Sequence, residues 1–183
     1  MRLILLSGKT KHGKTLVGTM MRSVLVSDGY SALVMHQDDL LDFICRWFLE
    51  WDGDDDARGK HGDFLFQKVG YDIIRDKDPA FFSKFILEMI SYLQPYCDWD
   101  NIIIPDLQLP EELTMYRSSG LDVYHVKVIR PDFTSPLTEK QRQRRSETAL
   151  DATEPDFYIY NRSDLPKLLD ETKAVLRKII QGE

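Results

Sequence analysis

Eight residues near the start of the chain, Gly8-Lys9-Thr10-Lys11-His12-Gly13-Lys14-Thr15, satisfy the pattern G-x-x-x-x-G-K-[ST] at every place. Each part of that pattern has a physical use. Glycines let a tight turn aim several backbone N–H groups inward, and a helix starting there adds its positive end, so phosphate oxygens are cradled. Lys14 would reach the β- and γ-phosphates of a nucleotide, and the Thr15 hydroxyl would ligate Mg²⁺. Gly8, Lys11, His12, Gly13, Lys14 and Thr15 are therefore candidate ATP-binding residues, with Lys14 also catalytic. A chance match in an ordinary turn is the competing account. Against it, the motif follows an apolar run and opens an amphipathic one, which is the context it needs.

Two further groups could act on the same phosphates. Asp106 directly follows the apolar run Ile102-Ile103-Ile104-Pro105, and a carboxylate at the carboxyl end of a central strand faces the crevice where ligands bind. It could support Mg²⁺, accept a proton from the attacking group, or only shape the turn before Pro110. Residues 130–145 bring Arg130, Lys140, Arg142, Arg144 and Arg145 against only Asp132 and Glu139. On one short helix Arg142 and Arg145 would share a face, one turn apart. Arg130, Arg142 and Arg145 are catalytic candidates, because phosphoryl transfer needs charge stabilisation more than covalent help, and a closing basic flap also excludes water. A solvated charged helix is the plainer alternative. Asp38, after the second strand, could face an acceptor or cap the next helix, capping being the commoner job.

The elements that must position these residues alternate between strand and helix, which predicts an α/β fold with helices on both faces of a parallel sheet. Strands are expected at residues 2–6, 31–35, 102–105, 122–129 and 157–160. Helices are expected at 14–26 (Leu16, Met20, Val24 and Leu25 on one side), 39–51, 64–74, 79–93, 110–118 and 165–180. Asp78-Pro79 would open the fourth segment of that series, and Ser163 or Asp164 would cap the last. A polar loop is expected over 51–62, and a single short basic helix within 132–146. Most of the aromatics Trp47, Phe48, Trp51, Phe64 and Phe66 read as core.

Bulk properties narrow the classes. With 183 residues the chain suits one domain (1–183), with a lid-like basic segment at about 131–148. A net charge of −6 argues against broad nucleic-acid binding, so an anionic substrate must be held by local cations. No apolar run reaches the roughly 18 residues of a membrane span, and no secretory signal precedes the first strand. Cys45 and Cys97 lack C-x-x-C spacing and read as reduced core thiols of a cytoplasmic protein. The acidic run around Asp52–Asp56 lacks EF-hand spacing, the four histidines lack metal-ligand spacing, and there is no Asn-Lys-x-Asp to read guanine.

Several longer-range features occur in order along nearly the whole chain: Trp51-Asp52-Gly53; Phe64-Leu65-Phe66-Gln67-Lys68-Val69-Gly70 with Arg75; Asp78-Pro79-Ala80-Phe81-Phe82; Ile102 to Asp106 with Leu109-Pro110-Glu111-Glu112 behind; Ile129-Arg130-Pro131; Ser146-Glu147 and Leu150-Asp151; and Asp156-x-x-Ile159-x-Asn161. With the phosphate motif, they resemble the deoxynucleoside monophosphate kinases of phages and bacteria. The resemblance implies a three-layer P-loop kinase fold with a five-stranded parallel sheet of order 2-3-1-4-5. It implies ATP and Mg²⁺ as cofactors, and γ-phosphate transfer to a (deoxy)nucleoside monophosphate, giving ADP and a diphosphate. Asn161 would lie where such kinases hold adenine, a plain turn being the alternative. Asp38, Gln67, Arg75 and Glu147 would address the acceptor, although Gln67 could cap a helix and Arg75 could pair with Asp72 or Asp78.

Two departures bear on the acceptor. Gln108 stands where the family has arginine, and Asp38-Asp39-Leu40-Leu41 stands where it tends to have proline and lysine. An amide cannot grip phosphate as an arginine fork does, although Lys9, Lys60 and Arg75 could compensate. The alternatives are a kinase for another phosphorylated metabolite, phosphomevalonate-like, or a nucleotide-binding regulatory protein with little turnover. A homodimer is compatible with either.

Overall fold

The apolar run that leads into the phosphate motif forms the central strand, β1 (Arg2–Ser7), and Leu3, Ile4, Leu5 and Leu6 expose no surface. The structure, a computed structural model, describes residues 1–51, 66–162 and 164–182, excepting the side chains of residues 66, 67, 71 and 72. β2 (Ala32–Val34), β3 (Asn101–Ile104), β4 (Asp122–Ile129) and β5 (Phe157–Tyr160) complete a sheet of order β2-β3-β1-β4-β5. Every pairing is parallel, as expected. Parallel neighbours cannot be joined by hairpins, so the connections carry helices over the faces.

Alternation along β1 builds two cores at once. Ile4 and Leu6 pack beneath α1 (Lys14–Ser27) and α7 (Leu165–Gln181), with Val17, Met21, Leu25, Leu168 and Leu176. Leu3 and Leu5 pack on the opposite face beneath α3 (Phe81–Leu93) and α4 (Pro110–Arg117), with Ile86, Ile90, Leu113 and Tyr116. Each buried aliphatic side chain contributes roughly 1.5–3 kcal/mol. The registers Leu5↔Ile104 and Ser7↔Lys127 then bring Gly8, Asp106 and Arg130 out at one end of the sheet. The site has three walls there.

Several expectations are corrected. The buried stripe of α1 runs through Val17, Met21 and Leu25, while Leu16 is exposed, because the sheet fixes the helix rotation that periodicity leaves open. α2 (Asp38–Phe48) begins and ends early. Only Leu41 and Cys45 of it are buried, whereas Trp47 and Phe48 are exposed. Asp38 is its first helical residue and is not the cap; the Asp39 carboxylate instead accepts the His36 N–H. Phe66–Arg75 is helical but π-wound. α3 starts at Phe81, two residues after Pro79, with Asp78 accepting from the Ala80 N–H. The basic segment forms two single turns, α5 (Glu139–Arg142) and α6 (Arg145–Thr148), with a break at Gln143 and Arg144. Arg142 and Arg145 therefore do not share a helix. Asp164 caps α7 by accepting from the Lys167 N–H, and Ser163 lies outside the described residues, as do Lys60, Phe64 and the loop expected after Trp51.

Candidate functional site

The turn between β1 and α1 has the backbone that the motif requires. Gly8 has φ 139° and Gly13 φ 100°, values that L side chains rarely adopt, and Lys11 is left-handed at 63°. A Cβ on Gly8 would sit 2.3 Å from the Val128 carbonyl oxygen, and one on Gly13 would sit 2.6 Å from Asn161 Nδ2. Val128 and Asn161 thus fill the space behind the two glycines. Asn161, 7% exposed, braces the loop by donating to the His12 carbonyl at 3.0 Å. Lys14 Nζ folds over the turn and donates to the carbonyls of Gly8 (2.7 Å) and Lys9 (3.1 Å). Burial lowers its pKa, while Glu147, Asp106 and Asp38 pull it back up. Thr15 is exposed at the second residue of α1.

His12 ties this loop to the end of β4. His12 Nδ1 lies 3.3 Å from both the Arg130 main-chain nitrogen and the Val128 carbonyl oxygen, and burial lowers the imidazole pKa. The Arg130 guanidinium lies over the Phe133 ring at 4.4 Å, and that ring meets His12 edge-on.

A dense polar cluster lies where β3 ends. Asp106 Oδ2 accepts from the Asp38 N–H at 3.1 Å, and His36 Nδ1 lies 4.0 Å from the same oxygen. Its Oδ1 is buried and has no hydrogen-bond partner among the described residues. Burial first, then the neighbouring Asp38 charge, push the Asp106 carboxyl up to about 8. Asp38 is raised as well, by burial that the Arg75 charge only partly offsets.

Arg75 is 2% exposed; its Nε donates to Glu112 Oε1 at 3.1 Å, Nη2 lies 3.9 Å from Asp38, and the guanidinium stacks on Phe82 at 4.4 Å. Gln67 lies in the same π-helical segment, its side chain outside the described set. Arg75 pairs with Glu112 and Asp38, while Asp78 is held by Lys84 and the Asp72 side chain, the other expected partner, lies outside the described set.

Glu112 is the hub of this cluster. Fully buried, it accepts from Arg75 Nε, Gln37 Nε2 (3.3 Å), Gln108 N (2.9 Å) and Leu109 N (3.1 Å), which joins α2, the π-helical segment and the loop after β3. Burial raises its pKa while Arg75 and the backbone donors oppose the shift.

The third wall is the basic segment. Arg142 pairs with Glu139 at 3.0 Å, and Arg145 pairs with Glu111 on α4. Glu147, on α6, accepts from the Thr10 N–H at 3.1 Å and from the Thr10 hydroxyl. Lys9 donates to the Glu147 carbonyl and pairs with Asp151 at 2.6 Å. Beneath these contacts lies a cleft of about 200 Å³, lined by His12, Leu107, Val128, Glu147 and Leu150 among others.

These residues suit a nucleotide with its metal. The loop carries a lysine over a glycine-rich turn, and the buried Asp106 Oδ1 has no hydrogen-bond partner among the described residues. Among the described residues no three His, Cys, Asp or Glu side chains could hold a metal by themselves. A cation here would need ligand oxygens from the triphosphate.

No family model and no curated protein matches the chain. Solved structures do. The APS kinase CysC of Mycobacterium tuberculosis in complex with AMPPNP and APS aligns with a TM-score of 0.57 at 14% identity, over 98% of this chain and 97% of that one. A gluconokinase from Sinorhizobium meliloti aligns with a TM-score of 0.53 at 15% identity, over 98% and 93%. The shikimate kinase of Aquifex aeolicus aligns with a TM-score of 0.50 at 17% identity, over the whole of both chains. The fold is that of the P-loop kinases. The narrower resemblance to deoxynucleoside monophosphate kinases rests on the residues quoted above, since the solved structures bear on architecture alone.

Within that fold, sequence reasoning brought together Lys14, Asp106, Arg130, Asp38, Arg75 and Glu147, and the structure places all of them around the end of the sheet. It missed Glu112 as a hub, Gln37, and the brace from Asn161 to the loop. A signal for Glu112 was present: Pro110 at the first helical position and glutamate at the third, half of a capping box. None of the described helices is long and apolar enough to cross a membrane.

Proposed function

We propose that the chain is an ATP-dependent phosphotransferase acting on a small phosphorylated acceptor, a (deoxy)nucleoside monophosphate. The observation that carries this is the phosphate cradle: Gly8 and Gly13 at positive φ, packed from behind by Val128 and Asn161, opening onto a 14-residue helix. Bound ATP and Mg²⁺ would supply the phosphoryl group and the charge that offsets its oxygens. The loop amides and Lys14 would hold the phosphates, Thr15 and Asp106 the metal, and Asn161 and His12 would keep the loop in shape. Arg130, Arg142 and Arg145 would stabilise charge on the transferred group. Asp38, Gln67, Arg75 and Glu147 would border the acceptor. A phosphate acceptor is already an anion, so positioning and electrostatics suffice.

A second reading has support of its own. Arg75 is already paired with Glu112 and lies near Asp38, and Asp106 is raised to about 8. Two carboxyls at the end of β3 suit an acceptor that attacks through a hydroxyl, with Asp106 taking the proton. A coupled ADP-release assay across (deoxy)nucleoside monophosphates and hydroxyl-bearing phosphorylated metabolites separates the two. Turnover on a monophosphate supports the first, turnover only on hydroxyl acceptors supports the second, and ATP binding with no turnover on any acceptor rejects both.

A further inference from the structure

The turn that would cradle phosphate holds an anion that belongs to the chain itself. The Glu147 carboxylate engages Thr10 twice, one oxygen on the N–H at 3.1 Å and the other on the hydroxyl, as a phosphate oxygen would engage such a loop. Lys9, the neighbouring loop residue, donates to the Glu147 main-chain carbonyl and pairs with Asp151 at 2.6 Å. Lys127, on β4, donates to the carbonyls of Leu150 (2.9 Å) and Asp151 (3.3 Å). The segment from α6 to Asp151 is therefore strapped onto the loop at several points.

We infer that Glu147 is a displaceable latch, a carboxylate held on Thr10 in a phosphate position of the cradle, so that nucleotide gains full purchase only as α6 lifts away. The inference rests on the reading that residues 8–15 take a nucleotide. A carboxylate and a phosphate oxygen repel each other, and the Thr10 N–H has one hydrogen to give, so the two anions compete for the same donors. The charge of Glu147 also acts on Lys14, which places the latch within reach of the phosphate-binding lysine. Lifting α6 has a second consequence, because the same turn carries Arg145, paired with Glu111. Opening the cradle would thus release an arginine as the nucleotide enters.

The test measures binding of a non-hydrolysable ATP analogue with Mg²⁺ to the full chain by titration calorimetry. Glu147→Gln keeps the shape and removes the charge, and should bind about tenfold tighter than the parent. Asp151→Asn, which loosens the strap at Lys9 without touching Thr10, should move affinity in the same direction by a smaller factor. Glu88→Gln on the distant α3 removes one negative charge elsewhere and should change nothing, which separates local release from a general charge effect. Equal or weaker binding by Glu147→Gln, with the parent still binding, would overturn the latch and leave the cradle reading intact. No binding by any of the four proteins would overturn both.

Discussion

The backbone N–H of Asp38 donates to Asp106 Oδ2 at 3.1 Å, so the first residue of α2 and the second residue past β3 grip each other beside the phosphate loop. This contact brings two carboxyl groups together in a buried place, and burial with the Asp38 charge lifts Asp106 to about 8. An asparagine matches the shape of a protonated aspartic acid and can still accept from the Asp38 N–H. Asp106→Asn should therefore keep or raise the melting temperature at neutral pH while lowering kcat roughly a hundredfold or more. Parallel thermal melts and steady-state assays check both halves, and an unchanged kcat would remove Asp106 from the chemistry.

Gly13 and Asn161 make a prediction about the loop rather than the reaction. At Gly13 a side chain meets both a positive φ of 100° and an amide nitrogen 2.6 Å away. Gly13→Ala should cost about 2 kcal/mol of stability in urea titrations, a typical penalty for forcing an L-residue into that region. Asn161→Ala removes the collision and also the brace on the His12 carbonyl. The double variant should then be less destabilised than the sum of the singles, because only the backbone strain remains. Strict additivity would mean that Asn161 does not press on the loop.

The sheet was legible because its central strands are short, wholly apolar runs bounded by turn residues, and a run such as Ile102-Ile103-Ile104 has few other places to go. Helix rotation was less legible. Leu16 and Val17 differ by one position, and only contact with the sheet decides which is buried. The cradle was readable since its chemistry is local, eight consecutive residues. Its support was not, because the bond from Asn161 to His12 spans 149 positions and the pairing of Arg75 with Glu112 spans 37. Composition gives no sign of which acid an arginine will meet at such distances. The basic segment misled because charge predicts neither where a helix breaks nor that Arg145 reaches α4.

That break has a kinetic consequence. Arg142 is paired within its own turn with Glu139, whereas Arg145 is paired with Glu111 across to α4. Each alanine variant should lower kcat, with melting temperature almost unchanged because both arginines are about half exposed and ion pairs of that kind contribute little. Sitting on separate turns with separate partners, the two should act independently, so the double variant should lose the product of the single losses. A double variant no worse than the poorer single would show that the arginines work as one unit.

His125 sets how the fold responds to acid. It is fully buried on β4, its Nε2 lies 2.7 Å from the Ser7 hydroxyl, and its Nδ1 has no partner among the described residues. Burial pushes its pKa down to about 4, against the raising influence of Asp156. The unfolded chain holds the same imidazole near 6.5. Above about 6.5 both states are neutral and His125 contributes no pH dependence. As pH falls from there towards 4, the unfolded state takes up a proton that the folded state refuses, and stability is lost, by up to about 3 kcal/mol from this residue. His125→Asn cannot titrate, yet keeps a polar group near Ser7. Between pH 7 and pH 4.5 its unfolding free energy should decline less steeply than that of the parent. Matching slopes in urea titrations across that range would mean that other groups, and not the imidazole beside the phosphate strand, govern acid sensitivity.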